Sequence, residues 1–283
     1  MHIGITHVTR LEYDHEVVEG IFDNRLGPHS DMHQRWERHD LVVRPRASTR
    51  RYTDGFGNAA NLITIPAPHN FVEVISRGEV GTLLVDPFAL PPEPPAPLSA
   101  GESIDSLWPT ALVGQQAELT TIVEDFRPAT PADTFDAVYR LAKFVYDNFT
   151  YEQQVTTVPT TMAEVLASRT GVCQDFAHVL LGLCRAIGIP ARYVSGYIVT
   201  DSRPTSSPRA PERGGGASHA LAEAFLPTHG WRGFDPTNNL VAAEHHFKIA
   251  TGRDYNDVRP TRGAFCGAGR ETLTVEVTTR RLR

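Results

Sequence analysis

The sequence predicts an α+β protein: an antiparallel β-rich amino-terminal domain over residues 1–86, a proline-rich linker over 87–100, and helices packed on an antiparallel sheet over 101–283. Three observations predict it. Apolar and polar residues alternate with a period of two through much of the first 85 residues, six prolines (Pro87, Pro91, Pro92, Pro94, Pro95 and Pro97) crowd the next stretch, and beyond them helix-period runs precede strand-period runs. The prolines make a stiff, extended connector. Helices followed by an antiparallel sheet define the second part as α+β.

In the first part, Ile3–Tyr13, Val17–Arg25, Trp36–Arg44, Phe71–Ser76 and Val80–Val85 read as strands, with Asp54-Gly55 as a turn signal between shorter ones. In the second, Gln115–Phe126 and Ala132–Phe149 read as helices, the latter with Phe135, Val138, Ala142, Val145 and Phe149 on one face, and Met162–Ser168 adds a short one. A further helix begins near Cys173. Phe176, Val179, Leu180, Leu183, Cys184 and Ile187 recur at intervals of three and four until Gly188-Ile189-Pro190 stops it. Strands follow at Ala191–Val199, His219–Leu226, Trp231–Phe234 and Thr272–Thr279.

Three residues stand in contexts suited to chemistry. Cys173 falls in the first turn of its helix, where unpaired N–H groups and the helix dipole favour a thiolate and can stabilise an oxyanion. His219 opens a strand, so its imidazole is fixed by a sheet. Asp235 ends a short strand before Pro236. Each alone has a plain structural reading: free cysteine is a common core residue, lone histidines are mostly structural, and Asp-Pro is a turn former. Together they offer a nucleophile, a base and a carboxylate that fixes the base's tautomer. The separation of 16 positions between His219 and Asp235 fits a hairpin that brings the two to corresponding ends.

At these residues the chain resembles a family. Gly171-Val172-Cys173-Gln174-Asp175-Phe176-Ala177-His178, Gly188-Ile189-Pro190-Ala191-Arg192-Tyr193, Ser218-His219-Ala220 and Gly233-Phe234-Asp235-Pro236-Thr237-Asn238 are similar to the transglutaminase-like, papain-like cysteine enzymes of bacteria. Asp54-Gly55-Phe56-Gly57-Asn58 and Gly252–Pro260 extend the resemblance into the β-rich first part and beyond the aspartate. It implies a papain-like, transglutaminase-core second domain with Cys173, His219 and Asp235 as catalytic triad. It also implies acyl transfer or hydrolysis on a peptide or protein amide through a thioester. The rivals are a non-catalytic binding module on the same fold and an arylamine acetyltransferase, which uses the same three residue types in the same order. For the second oxyanion donor, Tyr151, Gln153 and Gln154 are the candidates, unranked.

Composition narrows the partners. At 283 residues and 41% hydrophobic, the chain can bury a substantial core. Its net charge of −6 argues against nucleic acid. No apolar run approaches the roughly 18 residues of a membrane helix, and Met1–Asp14 alternates like a strand, so no membrane partner and a cytoplasmic location are expected. Three cysteines without Cys-x-x-Cys spacing offer neither a disulfide framework nor a zinc knuckle. Neither a metal nor a cofactor is expected: His245-His246 are adjacent and diverge, and His178 is rotated off the face of Cys173. Asp175 is expected to turn from the thiol and cap backbone. The Pro-, Ser- and Gly-rich run Asp201–Ala217, joined directly to His219, is expected to form a flap.

Overall fold

A computed structural model describes residues 1–199 and 218–282, so the expected flap at 201–217 lies outside the described residues. The amino-terminal part is built on β1 (His2–Asn24), a single long strand where the alternation suggested two. A left-handed residue at Glu19 and register shifts near Val17 and Val18 bend it. Its two halves therefore serve two arms of sheet. The first half pairs with β5 (His69–Thr82), which in turn pairs with β2 (Gln34–Arg44); the second pairs with β4 (Ala59–Ile65), which carries β3 (Ser48–Thr53). β5 is likewise continuous where two strands were expected. Asp54 makes the β3–β4 turn, its carboxylate accepting N–H bonds from Phe56 and Asn58 at 2.9 Å each.

The second part opens with α1 (Ala100–Leu107), α2 (Ala117–Ile122) and α3 (Thr134–Asn148), followed by β6 (Thr150–Tyr151), α4 (Met162–Ser168) and β7 (Thr170–Gly171). Next comes α5 (Cys173–Ala186), a helix buried around most of its circumference. β8 (Ala191–Ile198), β9 (His219–Leu226), β10 (Gly230–Asp235), β11 (Leu240–Val241) and β12 (His246–Gly252) form an antiparallel sheet in the order β11-β10-β9-β8-β12. α5 packs against β9 and β8, and the small residues Ala220, Ala222 and Ala224 let it approach. Gly182 permits a second close approach, since a Cβ there would sit 2.2 Å from the sulfur of Met162 on α4.

The chain ends with α6 (Tyr255–Val258), β13 (Thr261–Cys266) and β14 (Glu271–Arg281). Both strands return to β1, β13 beside its second half and β14 beside its first. The division at residue 101 therefore needs correction: residues 261–281 belong to the amino-terminal sheet. Pairing between strands so far apart in the chain leaves no local mark in the sequence. A shared apolar cluster joins the two parts, with Ile3, Ile5, Leu26 and Val80 against Tyr197, Val199, Phe247 and Ile249.

Candidate active site

The start of α5 is shaped by Gly171 and Asp175. A Cβ on Gly171 would lie 2.8 Å from Asp175, whose buried carboxylate returns to accept the Val172 N–H at 2.9 Å and the Thr156 hydroxyl at 2.7 Å. Burial raises the pKa of Asp175, and these two hydrogen bonds act against that rise. The acid thus caps backbone, as the sequence suggested. The first intrahelical bond of α5 is Phe176 N–H to Val172 C=O, 3.0 Å, so the N–H groups of Cys173, Gln174 and Asp175 stand outside the helical ladder. Cys173 itself is half-buried at the rim of the α5 core.

His219 is the first residue of β9 and Asp235 the last of β10, and the hairpin between them aligns these ends. The imidazole Nε2 donates to Asp235 Oδ2 at 2.8 Å. Asp235 is wholly buried. Its Oδ1 accepts the backbone N–H groups of Thr237 (2.9 Å) and Asn238 (3.2 Å), and its Oδ2 also accepts from the Asn238 amide (2.9 Å). Burial would raise the Asp235 pKa, but the charge and hydrogen bond of His219, with help from His246, hold it well below the usual carboxylate range. The reciprocal holds for His219. Burial would lower its pKa, yet the Asp235 carboxylate and then the neighbouring Cys173 thiol push it well up, while Nδ1 is buried without a hydrogen-bond partner among the described residues. With Nε2 committed to Asp235, Nδ1 is the nitrogen left for the thiol.

Two residues that sequence reasoning set aside or passed over come close. His246, first in β12, sends Nε2 to Asp235 Oδ2 at 3.3 Å, so the carboxylate serves two imidazoles. The two adjacent residues do diverge: His245, in the turn before β12, faces Glu244 at 3.7 Å while His246 faces Asp235. That divergence hid the one that reaches the site. Tyr255, on α6, lies with Tyr193 of β8 near enough to Cys173 that, after burial, the thiol's charge adds to the rise in both phenol pKa values. The Tyr255 backbone N–H is fixed by His178 Nε2 at 3.2 Å. His178 is structural, as expected, and burial, aided by Arg185, holds it neutral with a pKa near about 3.

Of the candidate oxyanion donors, Tyr151 pairs with Gly171 across β6 and β7 and packs its ring edge on Phe176, 6.2 Å between centroids, while Gln153 and Gln154 are exposed. His219, Asp235 and His246 place two nitrogens and a carboxylate oxygen within 4.8 Å of one another, a donor set of the type that binds zinc. Here both imidazole N–H groups are spent on the same Oδ2. A metal at that point would have to displace them.

A thiol at a helix start beside an imidazole and a buried carboxylate on adjacent strands is the arrangement of the cysteine protease and transglutaminase-like α+β fold. The chain belongs to the transglutaminase-like superfamily. Residues 121–236 match that family's core, and residues 3–81 match the bacterial transglutaminase-like N-terminal region. Similar along nearly their whole lengths are uncharacterized proteins of Mycobacterium tuberculosis, 32% identical over 92% of this chain and 86% of theirs, and of Mycobacterium leprae, 30% identical over 98% of both. A shorter likeness, 30% over 36% of this chain and 15% of the other, joins it to a protein-glutamine gamma-glutamyltransferase of Pseudomonas aeruginosa. A crystal structure from Cytophaga hutchinsonii, proposed to be a cysteine protease, shares the fold with a TM-score of 0.77 at 22% identity, covering 100% of this chain and 91% of that one.

Proposed function

We propose that the protein is a transglutaminase-like cysteine acyltransferase or amidase that acts on a peptide or protein amide through Cys173, His219 and Asp235. The observation that carries this reading is the 2.8 Å bond from His219 to the fully buried Asp235, which leaves Nδ1 of the same ring buried and unpartnered among the described residues, with Cys173 near enough to raise the ring's pKa. The raised pKa of His219 supports an imidazolium in the resting site. In the first step the sulfur of Cys173 forms a bond to the amide carbonyl carbon, and the oxyanion meets the free N–H groups at the start of α5. The C–N bond then breaks, and the imidazolium of His219 gives its proton to the departing amine. In the second step neutral His219 takes a proton from water or from an amine, that oxygen or nitrogen bonds to the carbonyl carbon, and the C–S bond breaks. Water completes a hydrolysis, an amine a transfer.

The test is to incubate the protein with glutamine-containing peptides and a primary amine, and follow adducts of Cys173 by mass spectrometry. The reading expects an acyl mass on Cys173, lost in Cys173→Ala and reduced about 10²-fold or more in rate by His219→Ala. Products without any Cys173 adduct, formed equally well by Cys173→Ala, would sink it. An acetyl adduct formed from acetyl-CoA and passed to an arylamine would move the assignment to the acetyltransferase. A cytoplasmic setting belongs to the same proposal, and cell fractionation checks it; among the described residues no helix is long and apolar enough to cross a membrane.

A further inference from the structure

His246 and Lys248 are two residues apart on β12 and pair with Ile198 and Gly196 of β8; Gly196 in turn pairs with His219 of β9. By the alternation of strands, His246, Lys248, His219, Leu221 and Glu223 share the face of the sheet opposite α5. That face is buried, and His219, Glu223, His246 and Lys248 give it a polar cluster. Lys248 Nζ contacts Glu223 at 2.6 Å and also Asp31, which comes from the amino-terminal part. The same segment grips the backbone of Lys248, for Gln34 accepts the Lys248 N–H at 2.8 Å and donates to its C=O at 2.8 Å. Asp31 in turn is fixed by accepting the N–H groups of His33 (2.8 Å) and Gln34 (3.1 Å).

His246, Lys248 and Glu223 line one small, partly open cavity of about 30 Å³ together with His33, Gln34, Leu221 and others. Its volume suits one water molecule, and its walls carry the two or more polar partners such a water needs. His246 supplies a matching demand. A carboxylate only accepts, so its contact with Asp235 requires a proton on Nε2, and in the neutral ring Nδ1 is then an acceptor, buried without a partner among the described residues.

We propose that His246 is a positioning residue of the site, donating Nε2–H to Asp235 and accepting at Nδ1 from a water that Lys248 and Glu223 hold in this cavity. The amino-terminal part then has a role in the chemistry. Through Asp31 and Gln34 it fixes Lys248, Lys248 fixes the water, the water fixes the tautomer of His246, and His246 limits how the carboxylate can turn beneath His219. This inference rests on the proposed thiol chemistry for its kinetic consequence, but its geometry can be read without any turnover.

The experiment uses the full chain and two readouts. The first is the ring ¹⁵N spectrum of His246, expected to show a protonated Nε2 and a bare, hydrogen-bonded Nδ1; a proton on Nδ1 overturns the proposal whatever the activity. The second is the rate of Cys173 acylation by p-nitrophenyl acetate. His246→Leu is expected to lower the rate constant about tenfold with little change in half-saturation, since orientation and not binding is lost. His246→Gln, which keeps a donor, recovers most of it, and Lys248→Met lowers the rate several-fold. Wild-type rates in His246→Leu overturn the proposal. If Cys173→Ala acylates as fast as wild type, the thiol reading fails instead, and the nitrogen spectrum alone decides the role of His246.

Discussion

Replacing Asp235 by Asn keeps the volume and removes the charge. In the native site Oδ1 accepts two backbone N–H groups, while Oδ2 accepts from His219 at 2.8 Å, Asn238 at 2.9 Å and His246 at 3.3 Å. An asparagine must leave its oxygen with the two backbone donors, so its NH₂ faces three side-chain donors. Opposite unit charges 2.8 Å apart attract by about 6 kcal/mol at an effective dielectric of 20, part of which offsets the cost of burying them. The sign on His219 follows: burial, the largest single influence, lowers its pKa, the carboxylate reverses that, and without the carboxylate burial outweighs the smaller raising effect left from Cys173. The ring should therefore titrate below 6.5 in Asp235→Asn and above it in the wild type, read by NMR of the imidazole. With the imidazolium lost near neutrality and its tautomer no longer fixed, acylation of Cys173 by p-nitrophenyl acetate should fall by about 10²- to 10⁴-fold. A His219 that still titrates above 6.5 in the variant, or acylation at the wild-type rate, would refute the reasoning.

Other consequences concern the frame around the site. His7 is buried between the two parts, bonded to the Tyr197 hydroxyl at 2.8 Å and to Thr9 at 3.2 Å, and burial pushes its pKa down to about 4. Its folded value lies below its unfolded one, so its contribution is intact above pH 6.5 and is lost as pH falls toward 4, by about 3 kcal/mol. Urea midpoints at pH 7 and pH 4 should thus converge in His7→Gln relative to wild type. Asp175→Asn keeps an acceptor for Val172 and Thr156 while removing a buried charge, so its urea midpoint should match or exceed wild type; Asp175→Ala should lose about 1–2 kcal/mol. At Gly196 a Cβ would stand 1.9 Å from the Phe247 carbonyl, so Gly196→Ala should cost about 1–3 kcal/mol in thermal unfolding by forcing β8 from β12.

The sequence displayed what is local. The α5 stripe, the alternating alanines of β9 and the contexts of Cys173, His219 and Asp235 each depend on neighbours within a few positions, and the structure carries helix, strand and hairpin at those places. What stayed hidden depends on distant partners. β12 is buried on every residue, its polar His246 and Lys248 as well as its apolar Phe247 and Ile249, because helix, sheet and amino-terminal part enclose it together. β13 is exposed along most of its length and was not legible as a strand; β14 was, at Thr272–Thr279, but the pairing of both with a strand from the opposite end of the chain was not. α1 was missed for another reason: its capping box, Ser99 with Glu102, was there to be read, but the proline run before it drew the interpretation toward linker. His246 could not have been placed without β12, so the second imidazole on Asp235 had no sequence signature.

The site's charge bears on what receives the acyl group. Asp235 is bound to both imidazoles, and Asp175, bound through Oδ2 to Val172 and Thr156, is wholly buried, so neither carboxylate is exposed to hold an incoming ammonium. Once the first amine has left with its proton, His219 is neutral and can take one proton from the second nucleophile. A lysine-like amine with a pKa of about 10.4 arrives as a cation carrying one proton too many, whereas water does not. Transfer should therefore use the small neutral fraction of the amine. At fixed total amine, the ratio of transfer to hydrolysis should rise about tenfold per pH unit from pH 6 to 9, measured by mass spectrometry of the two products from one acyl donor. A ratio independent of pH would mean that the ammonium binds and is deprotonated within the site. That result would require a carboxylate nearer Cys173 than either of these, and would overturn this account of the acceptor step.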